Sequence, residues 1–448
     1  MNAVTRLSIK TVAEHRSRYV LGAVAVAVAV AFMVAARMVT NALDAQLRSA
    51  GADESGSFDS LFLLLSLFGL IVIVASGFVV ANSFQTMVSA RTRELALLRT
   101  VGMRSRQAFL AVVVEGLIVG LVGALIGVVV GTLAAWAIIA PTMAGAELAA
   151  SSLGALILAL FVGLSVTLAA VVAPARRATR VAPVAALSSA ETIMGERLSK
   201  VRVAAGLGVL LVGLVMSLAP MGGGDLAMFS FVIGALVSFT GLSLLAPAYV
   251  PLLARVMAFG AARGPIGRMA NGNLARGRRR TANTAMAVVL GVTLFTGVNV
   301  VLGSVIAQAR AEGYAQEDIG GIYLLAFGLT GLTIVVGLIG VVNTVVLSVR
   351  ERVRELALLR AVGMTTGEVR RTVTLEGALV GFVGVGVGAV LGITGAVVLL
   401  ARLGGEISVA PPWTILGVAV FGTLAIVAAS TYAVARPAAS CPPTLATT

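Results

Sequence analysis

One thirteen-residue phrase occurs twice in this chain. Residues 91–103 read RTRELALLRTVGM and residues 352–364 read RVRELALLRAVGM, 261 positions later, with 11 of 13 identical. The correspondence continues outward at the same offset. Asn82 matches Asn343 and Glu115 matches Glu376, while Gly116, Gly120, Gly123, Gly127 and Gly131 match Gly377, Gly381, Gly384, Gly388 and Gly392. A match held at one fixed period means that the chain is built from two copies of one structural unit.

Each copy of the phrase lies between long apolar runs. Of the 448 residues, 59% are hydrophobic and only 12% charged, about half the charged share of a soluble domain. Ten stretches have the length and composition of membrane-spanning helices: 19–36, 61–84, 108–140, 153–173, 203–219, 226–254, 284–306, 322–347, 373–400 and 413–435. The first is longer than the apolar region of a signal peptide, and its repeat equivalent lies mid-chain, so both read as spans. With the N-terminus inside and the sides alternating, 29 of the 33 basic residues fall on the inner face. That bias orients the chain in the membrane and accounts for the net charge of +14 without a nucleic-acid partner. The expected fold is an all-α polytopic membrane protein of about ten helices. Parallel four-helix units at 1–187 and 262–448, related by a pseudo-two-fold axis along the membrane normal, are joined by a helix pair within 188–261.

Outside the phrase, few residues invite chemistry. Glu115 and Glu376 are the only carboxylates inside apolar runs, and charge there costs enough that such residues are either paired or functional. Pairing with arginines of the inner face, such as Arg104 or Arg106, is the structural reading; a proton or substrate site is the other. The glycines spaced four apart strip one helix face and let backbones approach closely, either within a unit or between the two halves. Gly102 and Gly363 are placed to end the helices of the repeated phrase. Pro174, Pro183, Pro437 and Pro443 read as stops after the fourth and tenth spans. There is no G-x-x-x-x-G-K-[ST] phosphate loop, H-E-x-x-H or nucleophile elbow; the single histidine, His15, sits among arginines, and the single cysteine, Cys441, reads as an idle thiol.

A basic segment ending in RELALLR-x-VG-M, preceded by one span and followed by a glycine-rich span with an early glutamate, resembles the FtsX-like (MacB-type) permease domain of ABC transporters. Two such domains in ten helices resemble the duplicated permeases that include bacitracin-type peptide-resistance transporters. The resemblance implies that the repeated phrase is a cytoplasmic coupling helix seated in a groove of an ATPase. That role would fall on Arg91, Arg93, Glu94, Leu98, Arg99 and Gly102, and on Arg352, Arg354, Glu355, Leu359, Arg360 and Gly363. It further implies that this chain binds no cofactor, that ATP and magnesium belong to two copies of a separate ATPase, and that the chain resides in the bacterial inner membrane with both termini cytoplasmic. One departure stands out: the loops at 41–59 and 308–320 are too short for the folded extracytoplasmic domain usual in the family. The implied activity is export or extraction of a lipid, lipophilic drug or membrane-active peptide. The alternatives are transmission of ATPase motion to an extracytoplasmic protein, and ion-coupled secondary transport.

Overall fold

The computed structural model describes residues 16–49, 97–100, 102–142, 153–180, 200–219, 225–261, 264–311, 353–402 and 409–439, with isolated residues between 73 and 88 and at 313 and 331. Every regular element among them is an α-helix, and eight of these are long and apolar enough to cross a membrane. Helices are what hydrocarbon demands, because each backbone N–H and C=O must find its partner inside the segment. The expected spans at 61–84 and 322–347 fall largely outside the described residues. Packing divides the chain into two compact units, Met1–Thr192 and Ile193–Thr448.

In the first unit, α1 (Arg16–Ser49), α2 (Ser105–Thr142) and α3 (Leu153–Arg180) pack on one another. The glycines of α2 decide how. A Cβ on Gly123 would lie 2.6 Å from the carbonyl oxygen of Ala23, and one on Gly127 2.5 Å from that of Ala27. Gly131 meets Ala31 in the same way. Partners that advance together mean that α1 and α2 run parallel. Against α3 the order reverses, with Gly116 facing Val171 and Gly120 facing Thr167. These two helices are antiparallel neighbours.

The second unit begins with α4 (Lys200–Leu218) and α5 (Asp225–Ala261), an antiparallel pair in which Gly206, Gly213, Gly234 and Gly241 let the two backbones touch. A short helix, α6 (Pro265–Arg276), leads to α7 (Arg278–Ala311). Then come α8 (Val353–Ala361), α9 (Thr366–Arg402) and α10 (Trp413–Ala439). The α7, α9 and α10 trio repeats α1, α2 and α3. Gly384 and Gly388 would place a Cβ 3.1 Å from Ala285 O and 2.8 Å from Val289 O, and Gly392 meets Thr293 and Thr296. Gly377 faces Thr431 and Gly381 faces Val427.

The shared geometry exposes shifts that the repeated phrase hides. Between α1 and α7 the period is 262: Val26 and Val30 correspond to Val288 and Val292, and both helix ends, Arg16–Ser49 and Arg278–Ala311, agree. Between α3 and α10 it is 260, and the valine and threonine that fill the two glycine notches exchange places. Insertions and deletions have therefore fallen in the connections, where they disturb no packing. The glycine faces are filled from within their own unit, which settles the choice left open by their spacing.

Two expectations need correction. Pro174 does not end α3, which continues to Arg180, and α10 runs through Pro437 to Ala439. A proline costs its helix one N–H donor, yet α3 continues for six residues beyond Pro174. Also, α6 was hidden in an arginine-rich stretch. It buries Gly267, Ala270 and Leu274 on a side that packs against α9.

Candidate functional site

The repeated phrase folds the same way in both units wherever both are described. Residues 97–100 are helical, and Gly102 follows with φ +114°, a value that strains any side chain. Its N–H donates to Arg99 O at 3.2 Å, and the N–H of Met103 donates to Leu98 O at 2.9 Å. In the second unit Gly363 has φ +106°. Its N–H reaches Arg360 O at 3.0 Å and that of Met364 reaches Leu359 O at 3.1 Å. This pair of bonds is a Schellman cap, and it bears out the reading of both glycines as C′ residues.

The chain then turns straight into the long glycine-rich helix. At α9 the entry is a full capping box: Thr365 N–H donates to Glu368 Oε2 at 2.9 Å, and Glu368 N–H donates to Thr365 Oγ1 at 3.3 Å. At α2 only half of it exists, the Arg104 N–H donating to Gln107 Oε1 at 2.9 Å. The geometry is kept while the charge is not, since Arg104 and Gln107 stand where Thr365 and Glu368 do.

The side chains of the phrase divide into anchors and exposed groups. Leu356 is buried with Val369 and Val373, and Leu359 and Met364 pack against them. That is the C3-to-C″ apolar contact expected beside a Schellman cap. Arg99 donates from Nη1 to the carbonyl of Thr179 at 3.3 Å, tying the first handle to the end of α3. Leu97 and Leu358, equivalent in the repeat, are 47% and 49% exposed, and Val362 is 87% exposed. Leu98 and Leu359, equivalent positions of the phrase, differ in their surroundings. Leu359 faces its own unit, because α8 lies on α9 and α10 with its i and i+3 leucines inward, and Leu98, at 37%, is less exposed than Leu97. Arg91, Arg93, Glu94 and Arg352 lie outside the described residues. Arg354 and Glu355 fall within α8, their side chains outside what is described.

The two intramembrane glutamates are buried, Glu115 to 3% exposure and Glu376 to 6%, and each meets a neutral donor. The Tyr19 hydroxyl donates to Glu115 Oε2 at 2.9 Å, and the Asn273 amide donates to Glu376 Oε1 at 2.7 Å. Asn273 in turn accepts from Arg276 at 2.9 Å, so a guanidinium on α6 reaches the buried carboxylate through an amide. Arg106 and Glu115 sit nine residues apart on α2, roughly 13 Å along its axis. The sequence could not name these donors, because Tyr19 and Asn273 come from non-equivalent places in the two units. Among the described residues no cluster of three or more histidine, cysteine or acidic side chains could hold a metal ion.

Residues 66–183 and 327–440 each match the FtsX-like permease C-terminal family. The two matches begin at the period of the repeated phrase, and together they cover just over half of the chain. No curated protein matches the chain. With two family domains, eight apolar helices long enough to cross a membrane among the described residues, and a capped handle before each glycine-rich helix, this chain belongs to the FtsX-like permease family, the multi-pass, generally non-catalytic subunits of ABC transporters that work with an ABC ATPase.

Proposed function

We propose that this permease exports or extracts a hydrophobic molecule, a lipid, lipophilic drug or membrane-active peptide, driven by two copies of a cytoplasmic ABC ATPase that grip one handle each. The carrying observation is the equal presentation of Leu97 and Leu358. A large apolar side chain held half in the open on a rigid, capped helix, and at the same place in both units, fits a partner's apolar groove better than it fits water. Arg99 supports the reading from the other side: it ties the handle to α3, so a displaced handle carries the end of a membrane-spanning helix with it. The short stretches of sequence between Ser49 and the expected span at 61–84, and between Ala311 and that at 322–347, favour a substrate taken from within the membrane over one handed on by an outer domain. On this reading the chain lies in the bacterial inner membrane with the handles in the cytoplasm, and ATP and magnesium stay on the partner.

The test is co-expression with the ABC ATPase of the neighbouring reading frame, followed by purification and a subunit count. Wild type should retain two ATPase subunits per chain. Leu97→Arg and Leu358→Arg should each retain one, and the double variant none. Two subunits on the double variant, or one on wild type, would sink the proposal.

A further inference from the structure

The arginines around α6 lie outside both copies of the repeated phrase. Between Asp225 and Glu312 the sequence contains no acidic residue, yet residues 255–280 carry seven arginines. Five of them, Arg268, Arg276, Arg278, Arg279 and Arg280, belong to α6 and the first turn of α7. Arg268, Arg276 and Arg279 are exposed. We infer that α6 and the start of α7 form a binding surface for the headgroups of anionic phospholipids.

At 12 residues, roughly 18 Å, α6 is too short to cross a bilayer core of about 30 Å. It lies between α5 and α7, which are both long and apolar enough to cross, and this places it at the membrane surface. The helix is not loose there. Gly267, Ala270 and Leu274 are buried on one side, and the Asn273–Glu376 hydrogen bond pins it to α9. The guanidiniums thus sit on a fixed frame one turn before Ala282, where the buried apolar face of α7 begins. That is the depth of lipid phosphates. A guanidinium offers a planar fork of donors that matches two phosphate oxygens, which an isolated surface lysine does not. Arginine clusters next to a membrane-spanning helix draw anionic lipid by the same charge complementarity. Asn273 bridges Arg276 to Glu376 through its side-chain amide.

The experiment is native mass spectrometry of the purified full chain in detergent, titrated with phosphatidylglycerol, with phosphatidylcholine, and with phosphatidylglycerol plus millimolar inorganic phosphate. Wild type should retain phosphatidylglycerol over phosphatidylcholine, and inorganic phosphate should leave that retention intact. Arg268→Gln alone should weaken it roughly fivefold and Arg268→Gln with Arg276→Gln roughly twentyfold, while the matching lysine variants keep part of it. Equal retention of the two lipids, displacement by inorganic phosphate, or undiminished phosphatidylglycerol binding by the folded single variant Arg268→Gln would each overturn the inference.

Discussion

Gly386 and Gly388 lie two residues apart on α9 and should respond in opposite directions to the same added methyl group. A Cβ on Gly386 meets nothing within 4 Å, whereas one on Gly388 would lie 2.8 Å from the Val289 carbonyl oxygen and 2.8 Å from Val292 Cβ. Non-bonded carbons sit about 3.5–4.0 Å apart at their optimum, so the second contact is short by about 0.7–1.2 Å. Neither obstructing atom can swing aside by changing rotamer. Relief requires α7 and α9 to part, and overpacking of that kind costs about 1–3 kcal/mol. Alanine also removes the helix-propensity penalty of glycine, about 1 kcal/mol at both positions. Gly386→Ala should therefore stabilise the protein by about 1 kcal/mol. Gly388→Ala should fall below it by about 1–3 kcal/mol, a factor of roughly 5–150 in the folding equilibrium. Unfolding in mixed micelles with increasing dodecyl sulfate, followed by far-ultraviolet circular dichroism, measures the difference. If the two variants unfold together, close packing of α7 on α9 is not what holds this unit.

The caps, the buried carboxylates and the amide relay give three more expectations. Gly102→Ala and Gly363→Ala place a side chain at φ above +100° and should cost about 1–2 kcal/mol locally, seen as faster hydrogen exchange of the amides just before each cap. Thr365→Ala should destabilise the start of α9 by about 1 kcal/mol, while Arg104→Ala, whose backbone supplies the bond at α2, should cost less than half of that by the same assay. For Asn273→Leu and Glu376→Gln, a double-mutant cycle should return a coupling of about 1–3 kcal/mol, and strict additivity would show the 2.7 Å bond to be inconsequential. Glu115→Gln combined with Glu376→Gln should impair assembly or coupled ATPase activity, and full retention of coupled transport would refute a role for either residue.

The repeated phrase was legible because its order is far more specific than a positive-inside loop requires, and its glycines foretold both Schellman caps. Apolar periodicity located α4 even though it lacks a counterpart in the repeat. Less could be read where sequence constrains only one side of a contact. Glycines at spacing four say that a backbone comes close but not whose it is, and here it is α1 for α2 and α7 for α9, each within its own unit. Which leucine faces outward depends on how α8 rolls against α9, a tertiary choice of about 100° per residue that placed Leu358, not Leu359, in the open. The single-residue shifts to periods of 262 and 260 were invisible, since valine, alanine and threonine runs align as well at either register. Helix α6 was missed because its apolar side consists of glycine, alanine and one leucine, too slight a pattern to stand out among arginines.

Both α2 and α9 are notched on two sides, toward one neighbour running with them and another running against them. A β-branched knob sits in four of these notches in the first unit and five in the second, and successive notches are three or four residues apart, about 4.5–6 Å. Such a rod cannot slide along its own axis by less than a full tooth without climbing over every knob at once. A pull applied through a two-residue cap at its end is therefore taken up as tilt, which makes each glycine-rich span a crank rather than a piston.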